Sequence, residues 1–158
     1  MKGNPKQFFP QSEYFAKKGI VCFSAECRVE ERHGTTPFGS VEDGQSAVRW
    51  IRQHATQFGF DLNKIVAADG SAWGHIAACT ATIEEVDNPN EYPEFGSKPN
   101  ALVLFNPVVN TGPEGYGYDR FQSGYREISP AYNLPNAIPP IIIFHGIYVT
   151  TVLVENIH

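Results

Sequence analysis

Ile65-Val66-Ala67-Ala68-Asp69-Gly70-Ser71-Ala72-Trp73-Gly74-His75 is the stretch that decides the fold. Its apolar opening, preceded by the turn Asp61-Leu62-Asn63, predicts a buried strand over Lys64 to Ala68. The small-residue run from Ala72 to about Ile83 predicts a helix directly behind it. A strand that meets a helix across a turn of small residues, with a serine at the apex, is the setting of a nucleophile elbow. There a sharp turn exposes the hydroxyl, and the next residue's N–H can help bind an oxyanion. Ser71 is therefore the candidate nucleophile and Ala72 the candidate oxyanion donor. The same residues also fit a serine that only caps the following helix, and this stretch alone leaves both readings open.

Working outward, Pro5 to Lys18 reads as a helix with Phe8, Tyr14 and Phe15 as packing residues and Pro10 in its first turns. Gly19 ends it. Ile20 to Ala25 reads as a buried parallel strand. Ser40 with Asp43 three residues on resembles a capping box. The spacing of Val41, Gly44, Val48, Ile51, Ala55 and Phe58 then keeps one helix face toward a core until Gly59. Beyond the acidic, Pro- and Asn-rich stretch Glu84 to Asn100, two further strands are expected at Ala101 to Phe105 and Ile141 to His145, with a short helix at Ile128 to Tyr132. Helices alternating with apolar strands predict an α/β chain.

The chain has 158 residues, and 12 Lys and Arg against 17 Asp and Glu give a formal net charge of −5. That balance argues against a nucleic-acid surface. With 42 % hydrophobic and 18 % charged residues the composition is that of a core-forming chain, and the length suits one domain over residues 1–158. No apolar run approaches the ~18 residues of a membrane span, and the first residues carry no export signal, so a cytoplasmic location is expected. Cys22, Cys27 and Cys79 follow no CxxC spacing and read as small buried hydrophobes in a reducing compartment. The histidines form no recognised zinc spacing, so neither a metal nor a cofactor is expected. The aromatic loop Tyr116, Tyr118, Phe121 and Tyr125 fits either a cleft lining or a cover for the sheet edge.

Several longer runs carry a resemblance. Pro5-Lys6-Gln7-Phe8-Phe9-Pro10-Gln11-Ser12-Glu13-Tyr14-Phe15-Ala16, Arg32-His33-Gly34-Thr35-Thr36-Pro37-Phe38, Phe105-Asn106-Pro107-Val108-Val109 and Ile143-Phe144-His145-Gly146 resemble bacterial α/β-hydrolases of the serine esterase/lipase type, over nearly the whole chain. The resemblance implies a partial α/β-hydrolase fold, a three-layer α/β/α sandwich on a mainly parallel sheet, and hydrolysis of a small carboxylic ester through an acyl-serine on Ser71. Ala72 would supply an oxyanion N–H, with weaker substrate-binding roles at His75 and Asn106.

The departures from that family fall on catalytic positions. Its elbow reads G-G-S-A-G-G-H, so Asp69 and Trp73 replace the glycines two before and two after the serine, which predicts a distorted turn. Its acid position falls on Val149, and valine cannot orient or charge-stabilise a histidine. His158 follows too closely to serve as the triad histidine. The family's third strand and oxyanion loop would precede Met1, so the chain reads as truncated at both ends. That strand would lie between Ile20–Ala25 and Lys64–Ala68. The two then close on each other, a neighbouring chain fills the gap through the unpaired edges, or the sheet is only partly formed. The expected function is a serine esterase with impaired or absent turnover. The alternative is a non-catalytic remnant that binds a small molecule or a partner.

Overall fold

The computed structural model describes residues 5–84, 91 and 94–157. A 3-10 turn at Pro5–Phe8 leads into α1 (Phe9–Ala16), followed by α2 (Glu30–His33), α3 (Pro37–Gln53) and α4 (Ala55–Phe58). Next come β1 (Val66–Gly70), α5 (Ser71–Thr82), β2 (Ala101–Phe105), α6 (Tyr118–Phe121), α7 (Tyr125–Ile128) and β3 (Ile141–Phe144). The three strands form one parallel sheet in the order β1-β2-β3. The class is α/β, and the strand at Ala101–Phe105 lies where its uninterrupted apolar run placed it.

The register sets Ala67 and Asp69 beside Leu102 and Leu104, and these beside Ile141 and Ile143, on one face of the sheet. On that face α5 packs through Ala77, Ala78 and Ala81 onto Leu102 and Leu104, each of them 1 % exposed. Alanines at the contact let the helix come close to the sheet, and burying two leucines there stabilises the pair by roughly 3–6 kcal/mol. Helix α3 packs on α5 in turn, around Val41, Cys79, Ile83 and Ile128. Gly44 makes that approach possible, because a Cβ there would lie 2.6 Å from Ile76 Cγ2. The other sheet face carries Val66, Ala68, Val103, Phe105, Ile142 and Phe144. The Phe8 ring reaches Phe105 there at 6.3 Å, and Phe105 stacks on Phe144 at 5.3 Å, yet Phe144 remains 50 % exposed.

Three local expectations are corrected. Residues 20–25 form no strand. Ile20 and Val21 are exposed, and Phe23 instead packs edge-on against Phe58 at 5.1 Å and Phe60 at 5.8 Å. A strand needs a ladder partner, and no described segment supplies one beside β1, so this apolar run buries its aromatic ring against helix α4 and its following turn. Second, α3 begins before Ser40, at Pro37 after Thr36, where proline's fixed φ and missing N–H suit a first helical position. The Ser40 hydroxyl donates to Arg28 O at 2.7 Å, and Asp43 binds the Arg28 backbone N–H at 2.6 Å and its guanidinium at 2.7 Å. Third, Cys27 and Cys79 are buried but Cys22 is exposed, as are Ile20 and Val21 beside it. In α1, Tyr14 and Phe15 are likewise largely exposed.

Candidate functional site

Ser71 lies at the junction of β1 and α5 with φ +54°, one of two non-glycine residues with positive φ among the described residues. A left-handed conformation costs an L-residue about 1–2 kcal/mol, and a serine is held there only where its surroundings over-determine it. Those surroundings are visible. Gly70 is the N-cap of α5, extended at φ −126°, so Ser71 is the first helical residue and not the cap. The Ser71 carbonyl accepts the Val108 N–H at 3.2 Å, tying the turn to the segment after β2. A Cβ on Gly70 would meet Phe105 O at 3.0 Å, and one on Gly74 would meet Asp69 O and Pro107 Cβ at 3.2 Å each. Glycine at these two positions lets the turn close while the Ser71 side chain stays exposed.

Both departures sit at a turn in which Ser71 holds φ +54°. Asp69 points to the α5 face of the sheet and its Oδ1 accepts the Gly70 N–H at 2.7 Å. Burial raises its carboxyl from the ordinary 3.8 to about 6, with the Gly70 bond acting in the opposite direction. Above that pH a partly buried negative charge stands two residues before Ser71. Trp73 is half-buried, two residues into α5.

His75 is 2 % exposed, and burial lowers its pKa to about 4, against the smaller opposing effect of its bond to Val108. The ring is therefore neutral near pH 7. Its Nδ1–H donates to Val108 O at 3.1 Å, while Nε2 faces Cys79 Sγ at 3.5 Å. Both nitrogens thus face protein atoms. The Cys79 thiol also donates to Ile128 O at 3.2 Å, and burial pushes its pKa up, which leaves it inert near pH 7.

Asn106 is the second left-handed residue, at φ +45°. Its N–H donates to Phe144 O at 2.8 Å and its Oδ1 accepts the Gly146 N–H at 2.9 Å, so it couples the ends of β2 and β3. Gly146 opens a turn closed by the Val149 N–H on Gly146 O at 3.1 Å. Asn106 is therefore a latch for the loop that carries Val149. The only sequence signal for this was an asparagine after an apolar run, a residue type that tolerates positive φ. His145, on the same loop, donates from Nε2 to Val152 O at 2.9 Å, and its buried Nδ1 has no hydrogen-bond partner among the described residues. His158 lies outside the described residues.

Among the described residues no cluster of His, Cys, Asp or Glu is arranged to hold a metal ion, and no helix is long and apolar enough to cross a membrane.

Comparison with known proteins gives a consistent outcome. The BD-FAE family model matches residues 2–113. Esterase LipC of Mycobacterium tuberculosis is 26 % identical over 150 residues, covering 83 % of this chain and 37 % of that protein. The acetylxylan esterase of Xylanibacter ruminicola is 28 % identical over 110 residues, covering 70 % and 20 %. Among solved structures, the apo form of Thermogutta terrifontis esterase 2 superposes with a TM-score of 0.92 at 42 % identity, over 99 % of this chain and 60 % of that one. The same esterase phosphorylated by paraoxon gives 0.91 at 42 % identity, over 99 % and 58 %. The chain thus spans about 60 % of these solved structures and at most 37 % of the two curated relatives.

Proposed function

The chain belongs to the BD-FAE family, with part of the α/β-hydrolase fold of esterases, and from that premise we propose that it is a serine-dependent carboxylic-ester hydrolase with impaired turnover. The observation that carries the reading is the exposed Ser71 at φ +54° between β1 and α5. In the proposed reaction the Ser71 oxygen attacks the ester carbonyl while the Ala72 N–H donates to the developing oxyanion. The alcohol leaves with a proton, and water then releases the acid and regenerates the serine. Impairment is supported by Val149 at the position where the resemblance puts the triad acid, and by the Asp69 carboxylate at the elbow, whose charge opposes an oxyanion.

The direct test is hydrolysis of 4-nitrophenyl acetate by the purified chain and by Ser71→Ala. Turnover that disappears with the hydroxyl supports the reading. Turnover that is unchanged in Ser71→Ala assigns it to other surface groups and removes the serine from the mechanism.

Asp69 and Val149 also favour a second reading, a non-catalytic module that binds a small ester or acid without turning it over. In that case Ser71→Ala leaves binding intact and there is no turnover to lose. Self-association belongs with either reading, supported by the outer edge of β1, which pairs with no other strand among the described residues, and by the apolar sheet face bearing Val66, Ile142 and Phe144. Sedimentation velocity over a hundredfold concentration range tests it, and a constant monomer value rejects it. A cytoplasmic location is supported by three free cysteines, and subcellular fractionation checks it.

A further inference from the structure

The outer strands β1 and β3 each have one strand partner among the described residues, and the backbone distinguishes their two outer edges. Pro140 O accepts the Leu102 N–H at 2.9 Å and Phe144 O accepts the Asn106 N–H at 2.8 Å. In a parallel ladder alternate residues serve opposite neighbours, so Ile142 also serves β2, and the N–H and C=O groups of Ile141 and Ile143 point away from the sheet. The same alternation sends Val66, Ala68 and Gly70 outward on β1, because Ile65 O holds the Asn100 N–H at 2.7 Å on the β2 side. There, however, Asp69 Oδ1 already occupies the Gly70 N–H at 2.7 Å, and Lys64 and Asp69 place charges toward the two ends of the strand. Charges of this kind keep edge strands from pairing. β3 has no such guard.

Ile141, Ile142, Ile143 and Phe144 follow one another with no charge and no proline, in a register without a bulge, and each is 37–50 % exposed. Residues 128–154 contain no Asp, Glu, Lys or Arg. Lys98 donates to Ala137 O and Arg126 lies over the Tyr132 ring, both ahead of the strand. An edge without charge offers nothing to an anionic lipid, a nucleic acid or a charged peptide. It does suit a copy of itself, because a twofold axis sets identical groups face to face, where like charges would repel. With Ile147 and Tyr148 just beyond it, 72 % and 89 % exposed, β3 presents roughly 700 Å² of apolar surface, against the ~800 Å² that each partner buries in a stable interface.

We propose that β3 is a homodimer interface, in which two copies of this chain pair their β3 strands antiparallel about a twofold axis at Ile142. Ile141 of each copy then faces Ile143 of the other, each facing pair exchanging both N–H···O=C bonds, and Ile142 meets its own counterpart with Cα atoms about 4.5 Å apart. The two sheets become one continuous sheet. The proposal goes beyond self-association in general by fixing the strand, the register and the closed symmetry, and it is independent of whether Ser71 turns over an ester.

The test is sedimentation equilibrium of the full chain beside Ile142→Lys and Val66→Lys. Both positions are half-exposed on the same sheet face, so either lysine is solvated in a monomer, but only the one at position 142 sets two ammonium groups against each other across the axis. The expected result is a monomer–dimer equilibrium with no larger species, weakened at least tenfold by Ile142→Lys and less than twofold by Val66→Lys. In the unaltered chain, hydrogen exchange at the Ile141 and Ile143 amides is expected to slow at least tenfold between a dilute sample and a dimeric one. That reading needs no variant and decides the matter if neither substitution leaves the chain folded. A monomer at every concentration overturns this proposal and self-association together. Three outcomes overturn the β3 pairing alone: association weakened as much by Val66→Lys as by Ile142→Lys, growth past the dimer as β3 of one copy adds to β1 of the next, or unchanged exchange at residues 141 and 143 in a dimer.

Discussion

Replacing Asp69 by asparagine isolates the energetic consequence of a carboxylate at the elbow. Asparagine keeps an Oδ1 that can accept the Gly70 N–H, seen at 2.7 Å, and removes only the charge. Burial raises the Asp69 carboxyl from 3.8 to about 6, so between these values the folded state binds more protons than the unfolded state. Stability from this group therefore falls as pH rises through that window, and the destabilisation is complete above about 6. A difference of about two units corresponds to roughly 3 kcal/mol, fully expressed at pH 8 and reduced to about 0.6 kcal/mol at pH 4. Asp69→Asn should accordingly stabilise the chain at pH 8 by about 2–3 kcal/mol, and by less than about 1 kcal/mol at pH 4. Urea unfolding of both proteins at the two pH values, with equal slopes confirming a common unfolded reference, gives the comparison. His75 titrates in both proteins and cancels in the difference. A gain that is the same at pH 4 and pH 8, or a loss at pH 8, would refute the assignment of a desolvated carboxylate to this position.

Three further outcomes follow from the same geometry. His75 has the opposite sign. Its folded pKa of about 4 lies below the ordinary 6.5, so its contribution is intact above 6.5 and falls by about 2–3 kcal/mol toward pH 4.5. His75→Gln, which keeps a donor for Val108 O, should flatten the acid limb of a stability–pH profile measured by urea unfolding. Asn106→Ala loses the acceptor for the Gly146 N–H and places alanine at φ +45°, for an expected cost of about 2 kcal/mol. Asn106→Gly loses only the hydrogen bond and should cost about 1 kcal/mol less by the same measurement. Gly74→Ala forces a Cβ to 3.2 Å from Asp69 O and 3.3 Å from Pro107 Cα, both backbone atoms, and should cost about 1–3 kcal/mol in thermal or urea unfolding.

The parts of the fold that were legible in the sequence are those set by local pattern. The run Ala101 to Phe105 became β2 without change because five apolar residues bounded by Asn100 and Asn106 have few alternatives. The α3 face of Val41, Gly44 and Val48 was legible from its helical spacing. Residues 20–25 show the limit of such reading. Their composition suits a strand, but a strand exists only through its ladder, and the partner is a tertiary fact. Ser40 failed for a related reason. Ser-x-x-Asp matched a capping pattern, whereas both side chains are engaged by Arg28, twelve and fifteen residues earlier.

At the candidate site, the strand–serine–helix junction was legible because it leaves a local trace in the sequence. The placement of Asp69 was not, since it depends on the sheet face toward which that side chain points. The Asn106 latch was also hidden, because it joins residues far apart in the chain.

The most direct test of the central claim, that Ser71 remains a working nucleophile on this scaffold, is intact-mass detection of a fluorophosphonate adduct on protein shown to be folded by circular dichroism. The account predicts a single phosphonyl addition that maps to Ser71 and vanishes in Ser71→Ala, at a rate slowed by the valine at position 149. A folded chain that takes no adduct, or one labelled equally well after Ser71→Ala, would contradict it.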